Sequence, residues 1–79
     1  MKVYEIGVYN SVVKKIIRSG GTLPEHSTIS PEFENTLYFE RVAVSEEDVR
    51  IRVHNEYPKS LGYVIDYVNK VMDNEEDRD

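Results

Sequence analysis

A chain of 79 residues without a single cysteine must hold itself together with one hydrophobic core, because disulfide staples and thiolate metal sites are both denied to it. A chain this short buries only about 60% of the surface its unfolded form exposes. There is no room for a second domain, and a partner or a second copy would add useful burial. With 39% hydrophobic and 10% aromatic residues, the composition is that of a folded protein rather than a disordered one. These features predict one domain over residues 1–72. The almost wholly charged stretch 73–79 is expected to be a disordered acidic tail.

The apolar residues fall mainly in period two. Between Lys2 and Tyr9, Tyr4, Ile6 and Val8 point one way while Val3, Glu5, Gly7 and Tyr9 point the other, which predicts a strand. Asn10 or Ser11 can cap a short helix carrying Val12, Val13, Ile16 and Ile17, with Lys14, Lys15 and Arg18 on its other side and Gly20-Gly21 as its stop. Residues 22 to 35 have no periodicity and contain Pro24 and Pro31, so they are expected to be a long connection without regular structure. Thr36 to Val44 predicts a second strand, with Leu37, Phe39 and Ala43 on one face and Tyr38, Glu40, Val42 and Val44 on the other.

Two later segments read both ways. Val49, Ile51 and Val53 alternate with Arg50, Arg52 and His54 as in a strand. However, Ser45-Glu46-Glu47-Asp48 is a helix-start signal and Pro58 a natural stop, so 46–56 is assigned to helix. From Gly62 to about Val71, Tyr63, Ile65 and Tyr67 alternate with Val64, Asp66 and Val68. Leu61, Val64, Ile65, Val68 and Met72 also fit a helix. The tyrosine and β-branched content favours a strand. The predicted fold is therefore α+β: a small single-layer, three-stranded, mainly antiparallel sheet, β-α-β-α-β in the order 2-1-3, with two short helices packed on it. The second helix makes the crossover from the second strand to the third.

Little in the sequence offers chemistry. His26, beside Glu25, Ser27 and Thr28, and His54 are the only histidines, and neither sits in a nucleophile motif or at metal-ligand spacing. The tail Asp73-Asn74-Glu75-Glu76-Asp77 lacks the spacing and glycine of a calcium loop. Gly20-Gly21 closes a helix rather than opening one on a phosphate. No catalytic, cofactor or metal residue is assigned, and the chain is expected not to be an enzyme. No apolar run nears the roughly 20 residues that span a bilayer. Without cysteine or a leader-like start, a cytoplasmic setting is expected.

Charge and aromatic placement point instead to binding. The net charge is −5, with Lys2, Lys14, Lys15 and Arg18 outweighing Glu5 before residue 23 and acids dominating afterwards. An acidic balance disfavours general nucleic-acid binding and suits a basic partner. If Tyr4, Ile6, Val8, Leu37, Phe39, Ala43, Tyr63, Ile65 and Tyr67 form the buried face, then Glu5, Glu40 and Asp66 lie on the other among Val3, Tyr9, Tyr38, Val42, Val64 and Val68. Apolar residues ringed by acid describe a partner-binding patch. The leading expectation is a non-enzymatic module that binds a basic protein, or pairs with itself as a homodimer. Its binding residues would be Glu5, Tyr38, Glu40, Val42, Val64 and Asp66, with the helix start Glu46, Glu47 and Asp48. Two alternatives stand beside it. One is an inhibitor of the kind phages and mobile elements encode, blocking a nucleic-acid-binding protein by acidic mimicry. The other is a single-stranded nucleic-acid binder using Lys14, Lys15, Arg18 and stacked tyrosines.

Overall fold

The alternation that begins at Lys2 runs on to Asn10 as strand β1, the middle strand of the sheet. The computed structural model describes residues 1–23 and 29–73. Strands β2 (Leu37–Ala43) and β3 (Tyr63–Asp73) flank β1 in a three-stranded sheet of order β2-β1-β3. Both pairings with β1 are antiparallel, so the outer strands run parallel to each other without sharing a ladder. Helix α1 (Ser11–Arg18) follows β1, and helix α2 (Glu46–Glu56) lies between β2 and β3 in the chain. This is the predicted β-α-β-α-β, α+β arrangement.

One face of the sheet carries the core. Tyr4, Ile6 and Val8 of β1 are buried there with Ala43, Tyr63 and the α2 residues Val49 and Val53. The ambiguous stretch 49–54 is helical because its start is chemically fixed. Ser45 Oγ accepts the Asp48 N–H at 3.1 Å, and the Asp48 carboxylate accepts the Val44 N–H at 3.1 Å. One helical turn then separates Val49 from Val53, both fully buried, and throws Ile51 outward to 56% exposure. The helix ends at Tyr57, just ahead of Pro58. Arg41 ties it back to β2 through Nε and Nη2, at 3.1 and 2.7 Å from the Glu56 carboxylate.

The connection after α1 is not structureless, as its lack of period suggests. Pro31–Glu34 forms a 3-10 turn whose start is capped by Ser30, its hydroxyl accepting the Glu32 N–H. The turn sends Phe33 against Tyr57 and Tyr63, at centroid distances of 5.6 and 5.3 Å, which closes one end of the core with aromatic rings. A second short 3-10 turn, Lys59–Leu61, leads through Gly62 into β3.

Strand β3 departs from simple alternation. Its pairing with β1 steps from Val8↔Ile65 to Gly7↔Tyr67, and from Tyr4↔Lys70 to Val3↔Met72. Asp66 and Val71 are thus extra residues, and each bulge exchanges the faces of the residues beyond it. Tyr67, expected in the core, lies on the opposite face and is 40% exposed. Val68, expected to face outward, packs against the core. The strand also includes Asp73, which charge alone places in the tail; residues 74–79 lie outside the described residues.

Candidate interaction surface

Opposite the core, the register of the two ladders sets side chains in rows across the sheet. Val3 of β1 stands between Val42 and Met72. Two residues along, Glu5 stands between Glu40 and Asn69, and two further on Gly7 stands between Tyr38 and Tyr67. Tyr38, Val42, Tyr67 and Met72 remain exposed, as large apolar groups on a monomer rarely do side by side. The acids therefore sit between an apolar row on one side and an aromatic row on the other.

Glu5 and Glu40 face each other directly across the β1–β2 ladder. Among the described residues neither carboxylate has a hydrogen-bond or ion-pair partner. Like charges directly opposed on neighbouring strands destabilise a sheet, so this pair persists without local compensation. The third predicted acid, Asp66, is already engaged: at the first bulge its carboxylate accepts the Thr36 hydroxyl at 2.9 Å.

Gly7 explains how the aromatic row closes. A Cβ there would lie 2.8 Å from Thr36 Cγ2, 2.9 Å from Tyr38 Cε1 and 3.1 Å from Tyr67 Cβ. Because glycine leaves that space free, the two tyrosines meet edge to face across β1, with centroids 5.8 Å apart at 77°. Tyr9 and Val64 pair in the next row, and Lys14 of α1 lies over the Tyr9 ring, 4.8 Å from its centroid.

Of the residues expected to bind a partner, Glu5, Tyr38, Glu40, Val42, Val64 and Asp66 come together on this face. Glu46, Glu47 and Asp48 do not join them, because α2 packs its valines on the core side of the sheet. There Glu46 bonds Arg50 at 3.1 Å and Asp48 bonds Arg52 at 2.9 Å, each one turn along the helix. The Val44 N–H, and after it Arg52, hold the Asp48 carboxyl below its ordinary pKa. Tyr67 and Met72 belong to the surface although sequence alternation does not place them there. A glycine in the middle of β1 is the sequence's one signal that neighbouring side chains approach closely at that point.

Among the described residues, the remaining expected features bring no group into this face. His54 is half-buried on α2, with Nδ1 3.2 Å from the Tyr57 carbonyl oxygen. Pro24 and the cluster Glu25, His26, Ser27 and Thr28 lie outside the described residues, as do the tail acids beyond Asp73. Among the described residues no group of three or more histidine, aspartate or glutamate side chains is placed to hold a metal ion, and no helix is long and apolar enough to cross a membrane. Comparison with known proteins finds no family model that matches this chain, and no curated protein or solved structure similar to it.

Proposed function

We propose that this chain is a non-enzymatic interaction module that docks a protein partner, bearing basic and apolar side chains, on the open face of its sheet. The observation that carries this reading is the opposed pair Glu5 and Glu40, uncompensated and flanked by exposed apolar rows. Exposed valine, methionine and tyrosine would supply affinity once desolvated, while the two carboxylates would steer a cationic partner and fix its register. Charge also favours a different protein over a second copy of this chain. Two copies stacked on this face would bring four glutamates together with no cation from the sheet between them. The cysteine-free composition suits a reducing, cytoplasmic setting.

The two alternatives have less behind them. Acidic mimicry would draw on Glu46, Glu47, Asp48 and the tail acids, and of the helix-start acids Glu46 and Asp48 already have their charge met by Arg50 and Arg52. Stacking of single-stranded nucleic acid would use Tyr38 and Tyr67, whose neighbouring row holds Glu40 and Glu5, an unfavourable site for phosphate.

The test is retention of partner from a lysate of the native cells on immobilised protein, compared between the wild type and the Tyr38→Ala/Val42→Ala double variant. Both side chains are about half exposed, so the fold should survive, as circular dichroism would check. A basic protein retained by the wild type and lost by the variant is the expected result. Equal retention by both would overturn the reading.

A further inference from the structure

We propose that the partner reaches this face as an extended segment, adding a fourth strand to the free edge of β2 with an arginine or lysine opposite Glu40. This deepens the docking reading of the open face and rests on it.

Among the described residues the sheet has two free edges, and they differ. Strand β3 is interrupted at Asp66 and Val71, and bulges of this kind disrupt a ladder and discourage further pairing. Strand β2 holds an unbroken register with β1 through all seven residues, from Lys2↔Ala43 to Val8↔Leu37. Its free side is identified by Arg41, whose Nη1 donates to the Glu40 carbonyl at 2.8 Å. The guanidinium can reach that carbonyl only on the side away from β1. By the alternation of a strand, the N–H and C=O groups of Tyr38, Glu40 and Val42 all face that way.

The side chains of these same three residues lie on the open face. A strand added here would therefore place every second side chain beside Tyr38, Glu40 and Val42, the directly opposed positions that decide cross-strand pairing. Glu40 already opposes Glu5 without a cation, so the complementary segment reads apolar, any residue, arginine or lysine, any residue, apolar. When it docks, the Glu40 carbonyl exchanges Arg41 Nη1 for a backbone N–H, and Arg41 stays anchored to Glu56 through Nε and Nη2. A second copy is a poorer occupant. Paired about the middle residue of β2, it would set Glu40 against its own counterpart.

The experiment is an NMR titration of the isotope-labelled full chain with a synthetic heptapeptide that has arginine at its centre, valine two positions to either side and threonine elsewhere. Two control peptides accompany it: one with the central arginine replaced by glutamate, and one N-methylated at alternate backbone amides. The expected result is amide shifts concentrated at 37–43, about tenfold weaker binding of the glutamate peptide, and loss of binding on N-methylation. In Glu40→Lys the preference between the arginine and glutamate peptides should reverse. Undiminished binding of the N-methylated peptide, or shifts confined to β3 and Tyr67, would overturn strand addition and leave face docking standing. Failure of all three peptides to bind would also overturn it, while the Tyr38/Val42 retention experiment still decides the docking face itself.

Discussion

Tyr38 and Tyr67 sit on outer strands that share no hydrogen-bond ladder, yet their rings meet edge to face above Gly7, 5.8 Å apart. The contact crosses the middle strand and joins β2 to β3 on the face opposite the core. Thr36 and Asp66 make a second such crossing beside it, at 2.9 Å. Both bridges depend on the absence of a side chain at Gly7, so a single hydrogen in place of a methyl group organises the aromatic end of the candidate surface.

Gly7→Ala should therefore disturb that surface more than it disturbs the core. The added Cβ comes within 2.8 Å of Thr36 Cγ2 and 2.9 Å of Tyr38 Cε1, and accommodating it should cost about 1–3 kcal/mol, as overpacking does. Tyr38 is exposed and can swing away, which places the expected loss near the low end. Chemical denaturation of Gly7→Ala, Tyr38→Ala and the double variant tests this. The glycine substitution should cost less once Tyr38 is already gone, and strict additivity would contradict the proposed clash.

Asn10 is the one buried polar side chain among the described residues, and it joins three elements. Its Oδ1 accepts the N–H groups of Val12 and Val13 at 2.9 and 3.1 Å, capping α1. Its Nδ2 donates to the Leu61 carbonyl at 3.1 Å, fixing the approach to β3. Asn10→Ala removes the cap and leaves a carbonyl without its donor, for an expected loss of about 2–3 kcal/mol. Asn10→Asp keeps the cap but brings a buried carboxylate toward that carbonyl. It should be destabilised at neutral pH and recover as acid protonates it. Unfolding curves at two pH values distinguish these outcomes.

Gly62 supports the same junction from the other side. It adopts φ of +100°, and a Cβ there would lie 2.7 Å from Val12 Cγ2 and 2.8 Å from Asn10 Oδ1. Backbone strain and collision act together, so Gly62→Ala should be more damaging than Gly7→Ala, by about 1–2 kcal/mol. Equal losses at the two glycines would mean that the junction yields more easily than its burial implies.

Much of this architecture is legible in the sequence, and the exceptions have physical causes. β1 and β2 keep strict alternation, so pattern alone places Tyr4, Ile6, Val8 and Ala43 in the core. Helix α2 is legible through Ser45 and Pro58, even though its Val–Arg alternation resembles a strand. The faces of β3 are not legible beyond Ile65. Alternation carries no mark of an extra residue, and the bulge at Asp66 exchanges Tyr67 with Val68. Phe33 escapes notice because a 3-10 turn is too short to show a period. The acids Glu46 and Asp48 look available in sequence, but arginines one helical turn away claim them.

The acid stability profile should follow Asp48 and Glu56. Hydrogen bonds from the Val44 N–H and Arg52 lower the Asp48 pKa, and the Arg41 guanidinium lowers that of Glu56. A carboxyl held below its unfolded value stabilises the fold above the ordinary carboxylate range, near about 4, and that contribution is lost as pH falls through the folded value. Denaturation midpoints should thus drop on acidification, and Asp48→Asn and Glu56→Gln should each flatten the decline. Both side chains are solvent-facing, so the changes should be small and should shrink in salt. A variant whose acid slope matches the wild type would remove that residue from the account.

The sharpest separation of stability from function lies at Glu5 and Glu40. A residue kept only for the fold should cost stability when changed. These two should do the reverse, because each faces a like charge across the ladder and neither carboxylate has an ion-pair partner among the described residues. Glu5→Gln and Glu40→Gln should each raise stability by about 0.2–1 kcal/mol. The double variant should gain little beyond either single change, since one substitution already removes the repulsion. Added salt should narrow the difference by screening the wild-type pair. The same substitutions should weaken capture of a basic partner. Stability that fell in both single variants would mean the carboxylates serve the fold, and the open face would lose its strongest mark of recognition.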